Sequence, residues 1–293
     1  MGANMARRLA RGGARVQAFD VSEQARATLQ SEAGVTPVAS LARMVQALPE
    51  PRVVWLMLPA GDITEKTLDS LVPLLAKGDV VVDGANAYYK DSMRRAQALS
   101  AQGLLFADAG VSGGVWGLEN GYAIMLGGTP EAARHVIPFV KILAPAPERG
   151  WVHSGPAGSG HFVKMVHNGI EYGMMQAYAE GLALLKAKTE FDLDLAGISE
   201  MWRHGSVVRS WLLDLIAEFL AKDSGLEAIK PVVADSGEGR WTALEAVELG
   251  LPAPVMSLAL MMRFSSQGHD DYANKLIAMM RNSFGGHAVQ QDK

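Results

Sequence analysis

The sequence contains no cysteine among its 293 residues. A disulfide scaffold, a thiolate metal site and a thiol nucleophile are therefore excluded, and a reducing cytoplasmic compartment is the expectation. The sequence also lacks any apolar run near the ~20 residues that a membrane-spanning helix needs. Its basic N-terminal segment, residues 1–15, is interrupted by Asn and Arg side chains, so it lacks the apolar centre of a signal peptide.

An excess of positive charge is absent as well. Lys and Arg number 27 against 31 Asp and Glu, which gives a formal net charge of −4. Nucleic acids and anionic membranes are therefore not expected as partners. Hydrophobic residues make up 49% and charged residues 20% of the chain, a composition typical of folded globular proteins that excludes disorder for most of it.

Apolar runs and amphipathic segments alternate in the first half of the chain. The predicted strands cover 15–20, 53–58, 79–83, 104–108 and 122–128. The predicted helices cover 2–11, 23–31, 63–75, 90–102 and 130–143. Strands that alternate with helices at this spacing predict a doubly wound parallel α/β sheet of the Rossmann type.

The chain begins inside a predicted helix, whereas a doubly wound dinucleotide fold opens with a strand and a glycine-rich turn. The first strand is therefore missing from the sequence, and Gly2 alone is a candidate for the last glycine of a G-x-G-x-x-G turn. We expect a misplaced start or a truncated sequence. The alternative is a shortened protein with an impaired cofactor site.

Strand signals stop after Trp151, and a glycine-rich segment at 155–160 reads as a linker. Predicted helices then cover 161–188, 195–204, 207–220, 240–248, 255–266 and 272–281. This change predicts a dinucleotide-binding domain over 1–154 and an all-α domain over 155–293. The polar tail from Asn282 onward is predicted to be an arm outside the core.

Several side chains follow the predicted strands at the edge where such sheets bind ligands. Asp20 ends the second strand of the expected fold, where an acid bonds the ribose hydroxyls and repels a 2′-phosphate, which favours NAD over NADP. Leu58, Pro59, Ala60 and Asn86 end later strands and are candidates for cofactor contacts, as is Gly2. The alternative interpretations are a helix-capping Asp and an ordinary turn Asn.

The strongest group of polar residues lies on the long predicted helix. Lys164, His167, Asn168 and Glu171 share one helix face, and the lysine and glutamate lie two turns, or roughly 10 Å, apart along the axis. A neutral lysine can act as a general base and a glutamic acid can return a proton elsewhere. The alternative is a solvated polar face, but the mixture of residue types differs from repeated salt-bridge pairs.

Other candidates bind anions or hydroxyl groups. The Ser112-Gly113-Gly114 segment offers a hydroxyl and backbone N–H groups for a carboxylate or a hydroxyl-rich ligand, or else is a plain turn. Arg263, Arg281 and His287 are candidate anion ligands whose alternative is surface charge. The seven histidines show no metal-ligand spacing, so no metal is predicted.

Five motifs together resemble one family, the decarboxylating 6-phosphogluconate dehydrogenases, and specifically their short bacterial form that uses NAD. They are the segments 1–9, 83–86, 111–114, 160–172 and 239–242. The resemblance implies oxidation of a phosphosugar acid, 6-phosphogluconate, to ribulose 5-phosphate and CO2, with Lys164 as general base and Glu171 as general acid. It implies substrate contacts from Asn86, Ser112, Gly113, Gly114, His167, Asn168 and Tyr172.

The resemblance also implies a phosphate contact from Arg263. Arg281 and His287 would belong to a tail that reaches the partner subunit's site, so a homodimer or homotetramer is expected. Long-form relatives carry a phosphate-binding lysine near position 236, where this sequence has Ser236, and this departure leaves the strength of phosphate binding open. Two alternatives stay open: a non-decarboxylating NAD-dependent 3-hydroxyacid dehydrogenase, and a non-catalytic module that binds NAD or a sugar acid.

Overall fold

The structure is a computed structural model that describes residues 1–285 and 288–290. Its internal contacts divide the chain into two compact units, Met1–Val166 and His167–Lys293. The division falls within a helix, twelve residues beyond the predicted boundary at 154/155. We call them unit one and unit two and describe each by itself.

Unit one contains seven strands in two sheets. The strands are β1 (Val16–Ala18), β2 (Val35–Pro37), β3 (Val53–Leu56), β4 (Val80–Asp83), β5 (Leu105–Ser112), β6 (Ala123–Gly128) and β7 (Trp151–Gly155). Strands β1 and β2 form a parallel pair of their own, and the larger sheet has the order β3-β4-β5-β6-β7.

The helices of unit one cover both faces of the larger sheet. They are α1 (Gly2–Arg11), α2 (Glu23–Ala27), α3 (Leu41–Ala47), α4 (Asp62–Leu71), α5 (Tyr89–Ser100), α6 (Gly117–Asn120) and α7 (Pro130–Leu143), followed by the start of α8 (Ser159–Ala187). Side chains of α1 and α7 pack on one face, and those of α3, α4 and α5 pack on the other. The predicted Rossmann-type, doubly wound architecture is confirmed.

Helix α1 lies across both sheets. Its Met5 belongs to the core with Val53 and Trp55 of β3, whereas its Ala6 packs with Val16 of β1 and Val35 of β2. Apolar packing under α1 therefore joins the small sheet to the large one.

The sheet differs from the prediction in two respects. It is not wholly parallel, because β5 and β6 pair antiparallel: the short connection after Ser112 returns the chain directly beside β5, with no crossover helix. Strand β7 was missed, and the prediction that strands stop after Trp151 was wrong. Its sequence, WVHSG, has only two large apolar residues because it lies at the edge of the sheet.

The described residues of unit two form helices joined by turns and loops, and no strand. It contains the rest of α8, then α9 (Leu195–Trp202), α10 (Trp211–Leu220), α11 (Glu238–Glu248), α12 (Pro254–Ser266) and α13 (Asp271–Gly285). Asp194 and Ser210 cap α9 and α10 through their side-chain oxygens. Helix α13 extends past Asn282, where the prediction began an arm. In the part of the chain that the structure describes, no helix is both long and apolar enough to cross a membrane.

Candidate active site

Lys164 lies in the second turn of α8, directly against strand β5. Alternate residues of a strand face opposite sides, so Asp108, Gly110 and Ser112 share one face of β5. The intervening residues of β5 pack in the core beneath α1 and α7. A Cβ atom placed on Gly110 would lie only 2.4 Å from the Cβ of Lys164, which shows that the lysine stem covers this glycine. Lys164 is only 7% exposed.

Asp108 fixes the start of α8 against the strand. Its carboxylate is fully buried and accepts hydrogen bonds from the backbone N–H groups of Gly158, at 2.6 Å, and His161, at 2.7 Å. A carboxylate at the positive end of a helix is stabilising and satisfies N–H groups that have no partner inside the helix. The segment 155–160, predicted to be a linker, is therefore held tightly at this point.

The Ser112-Gly113-Gly114 segment begins inside β5 and not after it. Ser112 is the last residue of β5, because the strand continues past the predicted end at 108. Gly113 and Gly114 then take φ values of +133° and +52°, which favour glycine. The turn packs on Tyr122, whose pKa is raised by burial. In unit one, Lys164 of α8 thus packs against the face of β5 that carries Ser112.

Asn86 follows β4 and is exposed, whereas the Asp83 of the same motif is fully buried. Asp83 accepts a hydrogen bond of 2.7 Å from Arg95 on α5 and another from the backbone N–H of Ala85. The aspartate therefore shapes the turn that carries Asn86. Strands β4 and β5 run parallel in adjacent positions, so Asn86 lies at the carboxyl end of the sheet.

The predicted cofactor residues lie at the carboxyl ends of three strands. Asp20 follows β1, and its exposed carboxylate accepts a hydrogen bond of 2.8 Å from the N–H of Ser22. The Leu58-Pro59-Ala60 segment follows β3. Gly2 begins α1, and a Cβ placed on it would lie 3.2 Å from the Cβ of Met57, which places this helix end beside the end of β3.

These positions fit a dinucleotide. The first turn of α1 contains no acidic residue, and a helix N-terminus favours phosphate through its N–H groups and dipole. The carboxyl edge of an open α/β sheet is where such ligands bind. Gly2, Asp20, Asn86 and the segment after β3 therefore form a chemically suitable set for a nicotinamide dinucleotide.

In unit two, Tyr172 of α8 is the centre of a second group. The guanidinium carbon of Arg263 lies 3.4 Å from the centroid of the tyrosine ring, and the tyrosine hydroxyl lies 3.4 Å from that of Ser236. Ser236 donates a hydrogen bond of 2.7 Å to the buried Glu238. A Cβ on Gly239 would lie 2.5 Å from the same ring. Stacking on an aromatic face orients the guanidinium of Arg263.

The remaining polar residues of α8 interact with one another. The Nδ1 atom of His167 lies 3.2 Å from the side-chain oxygen of Asn168 and 3.8 Å from a carboxylate oxygen of Glu171. Asn168 is buried, whereas the side chains of His167 and Glu171 are 37% and 40% exposed. Helix α8 is continuous through all these residues, as the predicted shared helix face requires.

One predicted anion ligand, Arg281, stands apart from the Tyr172 group. Arg281 lies on α13 and is exposed, and no hydrogen bond, ion pair or ring contact joins it to Tyr172, Ser236 or Arg263 within residues 1–285. His287 lies outside the described residues. Across the described part of the chain, no group of three or more His, Asp and Glu side chains is placed to hold a metal ion.

Sequence reasoning missed the residues that support the site. Asp108 was taken only as a strand end, and Glu238 was not singled out. His161, which is buried and lies 2.7 Å from the hydroxyl of Ser92 through its Nδ1 atom, was seen only as part of a motif. A usable signal existed in β5, where polar and glycine residues alternate with apolar ones in a strand whose six central residues are buried.

Comparison with known proteins gives consistent matches over both units. The family model for the NAD-binding domain of 6-phosphogluconate dehydrogenase matches residues 1–151, and the model for the C-terminal domain of that enzyme matches residues 160–283. An NAD(+)-dependent, decarboxylating 6-phosphogluconate dehydrogenase of Haloferax volcanii is 42% identical over 290 residues, which cover 99% of this chain and 95% of the relative.

Longer relatives match as well. A decarboxylating 6-phosphogluconate dehydrogenase of Bacillus licheniformis is 36% identical over 283 residues, which cover 92% of this chain and 60% of the relative. The solved 6-phosphogluconate dehydrogenase of Plasmodium falciparum, studied with NADP+ and with 6-phosphogluconate, superposes with a TM-score of 0.84 at 28% identity. That match covers 100% of this chain and 64% of the other.

Proposed function

Because the chain belongs to the 6-phosphogluconate dehydrogenase family, we propose that it oxidises and decarboxylates 6-phosphogluconate to ribulose 5-phosphate and CO2. The observation that carries the proposal is the placement of Lys164. Its stem is buried against β5, on the strand face that also carries Ser112, and α8 continues from it to Glu171.

Lys164 is the general base of the proposed reaction. Its neutral amine takes the proton from the hydroxyl group on carbon 3 of the substrate. A bound nicotinamide dinucleotide would supply the acceptor for the hydride that leaves the same carbon. The resulting 3-keto acid loses its carboxylate as CO2, and the electron pair left behind forms an enolate. The protonated Lys164 stabilises the enolate oxygen.

Glu171 is the general acid that completes the reaction. It donates a proton to carbon 1 of the enolate, which yields the ketone product. The keto group itself accepts the electrons during decarboxylation, so this sequence of steps calls for no metal. His167 lies 3.8 Å from the Glu171 carboxylate and is placed to orient it.

Substrate binding divides between two sets of residues. Asn86, Ser112, Gly113, Gly114, His167 and Asn168 offer amide, hydroxyl and imidazole groups and backbone N–H groups to the carboxylate and hydroxyls of the sugar acid. Tyr172 and Arg263 offer a hydroxyl group and a cation to its phosphate. Arg281 and His287, on the tail, would contact the phosphate bound by a second copy of the chain. The support for the phosphate contact is the position of Arg263 over the ring of Tyr172, whose hydroxyl group lies 3.4 Å from that of Ser236.

The proposed cofactor is NAD rather than NADP. Asp20 is exposed just past β1, and its carboxylate would accept hydrogen bonds from ribose hydroxyls and repel a 2′-phosphate. The test is binding itself, measured by quenching of tryptophan fluorescence. We expect NAD to bind more tightly than NADP. The substitution Asp20→Asn should reduce the difference between the two affinities. Equal affinities in the unaltered protein would contradict the proposal.

The reaction is tested by two simultaneous measurements on the unaltered protein with 6-phosphogluconate and NAD. We expect reduced nicotinamide and CO2 to form in equal amounts. Reduced nicotinamide without CO2 would favour the 3-hydroxyacid dehydrogenase. Dinucleotide binding without either product would favour the non-catalytic module.

A second copy of the chain is the proposed partner, in a homodimer or homotetramer. Helix α13 exposes about half of each of four large apolar side chains, Leu276, Ile277, Met279 and Met280. A contiguous apolar surface of this kind is typical of a subunit interface. Sedimentation analysis is expected to show a dimer or larger species that Ile277→Glu dissociates. A monomer in the unaltered protein would refute this part of the proposal.

A further inference from the structure

We propose that Gly110 is a positioning residue for Lys164, acting with Gly127 of β6 and Gly160 of α8 to let the first turns of α8 lie directly against the sheet. The three residues, called the glycine seat below, all lie in unit one. The inference rests on the proposed function for its kinetic consequence, but the geometry of the seat stands by itself.

The helix backbone touches the sheet backbone at Gly160 and Gly127. A Cβ on Gly160 would lie 2.4 Å from the carbonyl oxygen of Met125 and 2.7 Å from that of Asp108. A Cβ on Gly127 would lie 2.4 Å from a carboxylate oxygen of Asp108 and 2.7 Å from the backbone nitrogen of Gly160. Apart from the Asp108 carboxylate, no side chain is among the nearest atoms at these two points of contact between α8 and the strands β5 and β6.

Gly110 extends this contact to the catalytic lysine. A Cβ at this position would lie 2.4 Å from the Cβ of Lys164, 3.0 Å from its Cγ and 2.9 Å from the carbonyl oxygen of Gly160. The nearest of these atoms are the rigid base of a side chain and a backbone oxygen. They cannot swing aside, so a methyl group at 110 would push α8 away from β5 and carry Lys164 with it.

Backbone conformation gives no other reason for these glycines. None of Gly110, Gly127 and Gly160 is among the described glycines with positive φ, so an alanine could adopt the same dihedral angles. What the position excludes is volume. The buried Asp108 carboxylate, on the same face of β5, holds the start of α8 against the strand, so the helix has little freedom to move away.

The direct test compares Gly110→Ala with Gly181→Ala. Gly181 lies in the same helix with nothing within 4 Å of its built Cβ, so its substitution is the matched control. Because a shift of about 1 Å at a reacting group can slow a reaction ~10²-fold, we expect Gly110→Ala to lower kcat on that order. We expect KM for 6-phosphogluconate to change little. With substrate deuterated at carbon 3, the isotope effect on kcat should rise, because hydride transfer becomes rate-limiting. Gly181→Ala should match the unaltered protein in all three.

A second readout does not depend on turnover. Acetic anhydride modifies exposed amines faster than buried ones, and peptide mass spectrometry reports the rate at Lys164. Gly110→Ala should accelerate this modification several-fold, and Gly181→Ala should not. If the unaltered protein fails to oxidise 6-phosphogluconate, the proposed function is lost, while the modification rate still tests the seat.

A double-mutant comparison tests the proposal even if Gly110→Ala alone does not fold. Lys164→Gly removes the Cβ and Cγ that the new methyl group would meet, so Gly110→Ala should destabilise that background less than the unaltered one. Failure of Gly110→Ala to fold, with folding restored in the double variant, supports the seat. Unchanged kcat and modification rate in Gly110→Ala would overturn it, as would equal destabilisation in both backgrounds.

Discussion

The first turns of α8 and the turns that follow hold the two proposed proton-handling groups in opposite surroundings. Lys164 is only 7% exposed, and its stem lies against the backbone of a buried strand. The side chain of Glu171 is 40% exposed and lies near that of His167. The base is therefore fixed by packing of the main chain, whereas the acid is placed by side-chain contacts. Even a small substitution near Lys164 should therefore lower activity strongly, whereas substitutions near Glu171 should lower it in proportion to their size.

The largest expected effect comes from removing the base. Lys164→Ala should lower the rate of 6-phosphogluconate oxidation about 10³-fold, because a general base in the transition state contributes on that order. NAD binding, followed by tryptophan fluorescence, should persist. Lys186→Ala, at the exposed end of the same helix, is the control and should be near normal. Normal turnover without Lys164 would remove the contrast between the surroundings of Lys164 and those of Glu171.

Removing Asp108, the carboxylate that holds the start of α8, should chiefly lower the stability of the protein. Asp108→Ala leaves the N–H groups of Gly158 and His161 buried without acceptors, so we expect the free energy of unfolding to fall by about 3 kcal/mol. Asp194→Ala removes an exposed cap from α9 and should cost only about 1 kcal/mol. Urea denaturation measures both. Equal losses would show that burial adds nothing to the cap at α8.

Removing the acid should separate the two chemical steps. Glu171→Gln keeps the shape of the side chain but cannot donate the proton to carbon 1, so product formation should slow about 10²-fold. Oxidation does not use this group, and a rapid initial burst of reduced nicotinamide should remain in stopped-flow measurements. Loss of the burst would show that Glu171 also acts before decarboxylation, and an unchanged overall rate would remove its role as acid.

The smallest expected effect concerns the phosphate end of the substrate. Arg263→Gln removes a cation that stacks on Tyr172, so KM for 6-phosphogluconate should rise about tenfold, the equivalent of ~1.4 kcal/mol, with kcat nearly kept. Arg209→Gln is a control at an exposed position of the same unit. A large fall in kcat would mean that Arg263 also shapes the turns around Glu171.

The elements that could be predicted from sequence are those whose pattern is local. The long amphipathic run that became α8 has a clear period, and the polar face with Lys164 and Glu171 follows from it. Strands β3 and β4 were predictable from their apolar runs. Helices cover both faces of the sheet, so successive residues of these strands are apolar.

What could not be predicted depends on which segments meet. Strand β7 is short and lies at an edge, so its pattern is weak. The antiparallel pairing of β5 with β6 is decided by the turn at Gly113 and Gly114, whose φ values a sequence does not state. The segment at 155–160 resembled a linker because glycine is frequent both in flexible linkers and where two backbones pack closely together. Its partners, Asp108 and Gly127, lie far away in the sequence.

The small sheet of β1 and β2 has a consequence for cofactor choice. It contains two three-residue strands, whereas Lys164, the proposed base, lies against β5 of the five-stranded sheet. Asp20, the residue proposed to select the nucleotide, follows the smaller piece. Amide protons of β1 should therefore exchange with solvent sooner than those of β4. A lineage of such enzymes could change its preferred dinucleotide by altering a few positions around Asp20 while leaving the support of Lys164 intact.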